Sequence, residues 1–99
     1  DSETVLVVLD SNHTEKHVSR ELQEYSKFVT GGSYIVVFDT IIESIAEEFN
    51  VGKPWGKGNN PLVAVDKFLM SNKQFQRDRT FEERALVTVA PGGFLKKKI

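Results

Sequence analysis

The sequence predicts an α/β fold, and three observations carry that reading. Residues 5–9 form a continuous, largely β-branched apolar run, Val-Leu-Val-Val-Leu, of the kind that reads as a strand buried on both faces of a parallel sheet. From Thr14 onward the apolar spacing changes to steps of three and four, Val18, Leu22, Tyr25 and Val29, which stripes one face of a helix. A second buried-type run, Tyr-Ile-Val-Val-Phe at 34–38, follows at once. Strand, helix and strand over this length make a right-handed βαβ unit with parallel strands.

Each element has its own punctuation. The first strand stops at Asp10, and Asn12 with Glu15 three residues later reads as a capping box for the helix. Gly31-Gly32 supplies a left-handed stop at its far end. After Asp39, residues 41–49 suggest a short helix with Ile42, Ile45 and Phe49 on one side and Glu43, Glu47 and Glu48 on the other. Residues 52–60 are loop by composition, since Gly and Pro punctuate them. Asn60 and Pro61 are an N-cap and first-turn proline for a further helix that buries Leu62, Val65, Phe68 and Leu69. A short strand at 75–77, a charged turn or short helix at 78–84, a strand at 86–90 and a Pro91-Gly92-Gly93 turn complete the chain, with Phe94 and Leu95 packing the tail back.

Composition bounds the function. The 99 residues are 39% hydrophobic and 27% charged, enough for one domain over 1–99 and too few for two. Thirteen Lys and Arg against 14 Asp and Glu leave a net charge of -1, which offers no nucleic-acid footprint; the basic run Lys96-Lys97-Lys98 reads as a solvated tail. Without Cys there is no disulfide framework, thiolate nucleophile or zinc-thiolate site. No apolar run approaches the ~18 residues of a membrane span, and the acidic start does not resemble a signal peptide, so the cytoplasm is the expected compartment. A chain that starts without Met so close to a strand reads as a piece of something longer.

Ligands of an open parallel sheet bind beyond the carboxyl ends of its strands, and both strands here end in an aspartate, Asp10 and Asp39. Parallel neighbours lie about 4.8 Å apart, so the two carboxylates can share a hard divalent cation or a ribose hydroxyl pair; either one alone also serves as a helix cap. His13 faces the same gap and is the one neutral-pH base near that rim. His13 and His17 have i, i+4 spacing for a metal pair, against the reading of a solvated helix face supported by Lys16 and Arg20. Gly56-Lys57-Gly58-Asn59-Asn60-Pro61 is a mobile loop or an anion cradle at a helix start. Trp55, between Pro54 and Gly56, either stacks on a sugar or ring at the surface or anchors a satellite core. Ser11 lacks the GxSxG frame of a hydrolase nucleophile.

Four stretches carry a resemblance: Val-Leu-Asp-Ser-Asn-His at 8–13, Gly-Gly-Ser-Tyr-Ile-Val-Val-Phe-Asp-Thr at 31–40, Asn-Pro-Leu-Val-Ala-Val-Asp-Lys-Phe-Leu at 60–69, and Ala-Pro-Gly-Gly-Phe-Leu-Lys at 90–96. Together they resemble the cephalosporin hydroxylase family of class I S-adenosylmethionine-dependent methyltransferases, which includes rhamnosyl O-methyltransferases. The resemblance implies the C-terminal half of a Rossmann-like methyltransferase sheet, strands four to seven, with the last strand antiparallel to the rest. It places the main S-adenosylmethionine loop, glycine-rich and after the family's first strand, outside these residues. It also implies Mg2+ on Asp10 and on the pair Asp39 and Thr40. His13 falls where the catechol O-methyltransferase-like cousins carry a lysine base, and Phe38 stands where the family's first acid of the metal pair is expected. Trp55 and its loop would then cover a sugar or small-molecule acceptor. The rival reading is a noncatalytic α/β binding module, or a fragment whose exposed parallel edge drives homo-oligomer formation.

Overall fold

The structure, a computed structural model, describes residues 5–10, 13–43, 47–79 and 91–99 of the chain. Strand β1 (Val7–Leu9) leads to helix α1 (Glu15–Tyr25), and strand β2 (Tyr34–Val37) to two short 3-10 turns, Thr40–Glu43 and Glu47–Asn50. Helix α2 (Pro61–Ser71) and strands β3 (Phe75–Arg77) and β4 (Phe94–Lys97) follow. The sheet order is β1-β2-β4-β3. Strands β1 and β2 are parallel, with Val7 opposite Ile35 and Leu9 opposite Val37, while β4 is antiparallel to both β2 and β3. The last strand is therefore reversed against the other three, as the resemblance implies.

The packing is one-sided, which departs from the sequence reading. Leu9, Ile35, Val37, Phe75 and Leu95 are buried and form one cluster with Val18 and Leu22 of α1 and Ala64, Val65 and Phe68 of α2. Side chains that alternate with them point the other way: Val8 is 49% exposed and Leu6 55%. A run of β-branched residues does not by itself distinguish one covered face from two.

Helix α1 carries the expected stripe at Val18 and Leu22, but Tyr25 is 44% exposed. The regular helix ends at Tyr25, and a 3-10 turn at Ser26–Phe28 takes over, which rotates Tyr25 outward against Phe28 and buries Ser26 and Val29. Gly31-Gly32 does not stop this helix. Gly32, at φ 87, instead makes the turn into β2, where its N–H donates to the Lys97 carbonyl at 2.7 Å. The expected helix over 41–49 is two 3-10 turns, and Phe49 is 70% exposed rather than buried; Ile45 lies outside the described residues. So do Asn12, residues 80–84 of the charged turn and the expected strand at 86–90.

The basic run is no solvated tail either. Lys96 and Lys97 belong to β4, and the half-buried Lys97 holds its Nζ over the Phe75 ring, 5.9 Å from the centroid, and donates from it to the Val29 carbonyl at 3.0 Å. A lysine with an apolar stem and a charged tip satisfies both surroundings.

Candidate active site

The site lies at the carboxyl ends of the two parallel strands. Phe38 N–H donates to the Leu9 carbonyl at 3.1 Å, so the β1–β2 ladder runs to the very ends of the strands and Asp10 and Asp39 emerge side by side. Asp39 has φ 61, a left-handed conformation that Asp tolerates better than most residues, and its carbonyl accepts from Ile42 N–H at 3.2 Å. Thr40 next to it is fully buried, and its hydroxyl donates to the Pro91 carbonyl at 2.7 Å, pinning the turn to the chain entering β4.

His13 closes the group. Its Nε2 lies 2.8 Å from Asp39 Oδ2, and one ligand atom each from Asp10, His13 and Asp39 lie within 4.8 Å of one another. His13 Nδ1 is buried and has no hydrogen-bond partner among the described residues. The imidazole meets Trp55 edge to face, with ring centroids 4.5 Å apart. Lys53 Nζ stands 5.8 Å from the Trp55 ring centroid. Asp10, His13, Asp39 and Trp55 are thus brought together, whereas Thr40 adjoins them with its hydroxyl directed to Pro91. His17 is not part of the group: it lies 3.6 Å from Glu21 on the same helix, so the i, i+4 histidine pair is not assembled.

The glycine-containing loop is not an anion cradle, because its amides are engaged. Gly56 and Asn59 exchange backbone hydrogen bonds at 2.9 and 3.0 Å, and Gly58 N–H donates to Glu43 Oε1 at 2.9 Å. At the start of α2, Asn60 Oδ1 accepts from Leu62 and Val63 N–H, as its N-cap position predicts. Its Nδ2 donates to Glu43 Oε1 and the Gly56 carbonyl.

Sequence reasoning missed two of these groups. Glu43 was expected on a solvent-facing side, and nothing local in the sequence signals its bonds to residues 15 and 17 positions away. Asn59 caps α1 from a distance, its Oδ1 accepting from Glu15 N–H at 2.8 Å.

The Gly58 amide, the Asn60 side chain and the charge of Lys57 hold the Glu43 carboxyl below its ordinary 4.5, against an opposing effect of burial. A carboxyl lowered in the folded state stabilises it above the unfolded value, and that contribution is lost as the pH falls from 4.5 through the lower folded value. Thermal melts across this acid range are expected to show the gap between wild type and Glu43→Gln shrinking as the pH falls.

The family described as rhamnosyl O-methyltransferase/CmcI matches residues 1–98. The chain belongs to the rhamnosyl O-methyltransferase/CmcI family. That is an O-methyltransferase family, which upholds the methyltransferase resemblance drawn from the four sequence stretches. No curated protein and no solved structure matches the chain. In this CmcI-family chain no described helix is long and apolar enough to cross a membrane.

Proposed function

We propose that the chain forms the metal- and acceptor-binding part of a cytoplasmic, S-adenosylmethionine-dependent O-methyltransferase acting on a sugar or small-molecule hydroxyl, akin to the cephalosporin hydroxylase relatives. The observation that carries this reading is the convergence of Asp10, His13 and Asp39 within 4.8 Å at the carboxyl ends of two parallel strands, in a chain of an O-methyltransferase family. Two carboxylates offer the hard oxygen donors that Mg2+ requires, and beside them the buried His13 Nδ1 has no hydrogen-bond partner among the described residues. The residues fit the ion.

A bound Mg2+ supplies Lewis acidity that lowers the pKa of an acceptor hydroxyl. Asp10 and Asp39 would hold the ion, and Thr40 supports Asp39 by fixing its turn to Pro91. His13 Nε2–H donates to Asp39 Oδ2 at 2.8 Å, which leaves Nδ1 as the basic nitrogen that takes the hydroxyl proton, and Asp39 stabilises the imidazolium that results. Trp55 covers the acceptor, its indole face suited to the apolar face of a sugar ring. The Gly56, Gly58 and Asn59 amides of the loop beside Trp55 bond to Asn59, Glu43 and Gly56, so they are not free to hold the methyl donor.

The test is methyl transfer to a panel of sugar and small-molecule hydroxyls by the protein carrying this chain. His13→Ala is expected to lower kcat about 100-fold or more with little change in acceptor KM; equal turnover would remove His13 from the chemistry. A second reading, self-association, is favoured by the exposed apolar residues Val8 on the edge strand β1 and Leu6 just before it. Sedimentation showing a concentration-dependent dimer that Val8→Lys abolishes would support it.

A further inference from the structure

We propose that Asn59 is a positioning residue, which ties the loop carrying Trp55 to the start of the helix that follows His13 and so sets the packing of the indole on the imidazole. The inference rests on the role given to His13 above, and four hydrogen bonds carry it. Asn59 Oδ1 accepts from Glu15 N–H at 2.8 Å, two residues beyond His13. Its Nδ2 donates to the Pro54 carbonyl at 3.0 Å, one residue before Trp55. Its backbone N–H and carbonyl both pair with Gly56, one residue after Trp55, at 3.0 and 2.9 Å. One side chain therefore bonds to the chain two residues after His13 and one residue before Trp55, the two residues whose ring centroids stand 4.5 Å apart.

The rest of the loop is held from the other side. Glu43 accepts from Gly58 N–H and from Asn60 Nδ2, which fixes the loop to the turn that follows Asp39. The loop thus bridges both sides of the site: Asn59 ties it to the α1 side, which bears His13, and Glu43 ties it to the β2 side, which bears Asp39. Asn59 itself is exposed, so removing its side chain opens no cavity in the core. An exposed asparagine with both ends of its amide engaged orders a loop without filling space. Trp55 is then presented to His13 by a preformed frame, the arrangement that makes a binding wall specific rather than adaptable.

Trp55 is the single tryptophan of the chain, so its fluorescence reports this wall alone, and the ring-current displacement of the His13 imidazole protons reports the contact itself. Both are measured in the full chain, with Trp55→Ala defining the His13 spectrum when the contact is absent. In Asn59→Ala the His13 resonances are expected to move most of the way to the Trp55→Ala positions and the emission to shift to the red, while the cooperative melt persists. Asn59→Asp keeps an acceptor for Glu15 N–H and loses the donor to Pro54. It is expected to keep the Glu15 amide protected from hydrogen exchange while still releasing Trp55, and it provides the same readout should Asn59→Ala fail to fold. His13 resonances unchanged from wild type in a folded Asn59 variant would overturn the proposal. A Mg2+ titration run on the same samples separates the two readings: loss of the ring contact with no Mg2+ binding in wild type upholds Asn59 as the tie and removes the metal site.

Discussion

Asp39→Asn is expected to weaken Mg2+ binding at least about 100-fold, since loss of a ligand exceeds the 10- to 100-fold cost typical of outer-shell partners. Asn tolerates the left-handed conformation that φ 61 imposes, so the substitution removes charge while sparing the turn. It leaves Asp10 as the one carboxylate of the described group and replaces the acceptor 2.8 Å from His13 Nε2 with a neutral amide. In the intact enzyme, Mg2+-dependent turnover is expected to be abolished by Asp39→Ala. The comparison of the two variants matters: Ala adds a backbone cost of about 1 kcal/mol at positive φ, so a thermal melt separates lost metal affinity from a disturbed turn. Unchanged Mg2+ affinity in Asp39→Asn would contradict the assignment.

The largest effect on stability is expected at Asn60. The residue is fully buried, and both ends of its amide are satisfied: Oδ1 caps Leu62 and Val63 N–H, and Nδ2 donates to Glu43 Oε1 at 2.6 Å and to the Gly56 carbonyl at 2.8 Å. Asn60→Ala removes the cap, typically about 1 kcal/mol, and two part-buried hydrogen bonds, about 1 kcal/mol each, although Glu43 Oε1 keeps Gly58 N–H and the Gly56 carbonyl keeps Asn59 N–H as donors. A loss of about 2–4 kcal/mol lowers the Tm of a domain this size by about 10 °C or more. Asn60→Asp keeps the cap but sets a carboxylate against Glu43, and is expected to be destabilising too, because repulsion replaces a hydrogen bond. A melt within a degree or two of wild type for Asn60→Ala would show that the Glu43–Asn60 junction contributes little.

Local signals in the sequence locate what local physics determines. Apolar runs place β1 and β2, Asn60-Pro61 places the start of α2 to the residue, and the 75–77 strand lies where expected. The aspartates at the strand ends were legible for the same reason, since parallel pairing brings them together once the strands are known. The rest depends on contacts distant in the chain. The last strand hid behind Lys96 and Lys97, whose charge reads as solvent until the Phe75 ring and the Val29 carbonyl are seen beneath Lys97. The 3-10 turn that exposes Tyr25 replaces a helix that periodicity alone would extend to Val29. Asn59 caps a helix start 44 residues earlier, and no local pattern encodes a cap supplied across that separation.

The central claim is that Asp10 and Asp39, beside His13, form a divalent-cation site, and calorimetric titration of Mg2+ into the chain, with Asp10→Ala alongside, tests it most directly. Saturable binding in wild type that disappears in Asp10→Ala is the predicted result. Absence of saturable binding in wild type, or binding that survives in the variant, would contradict the claim.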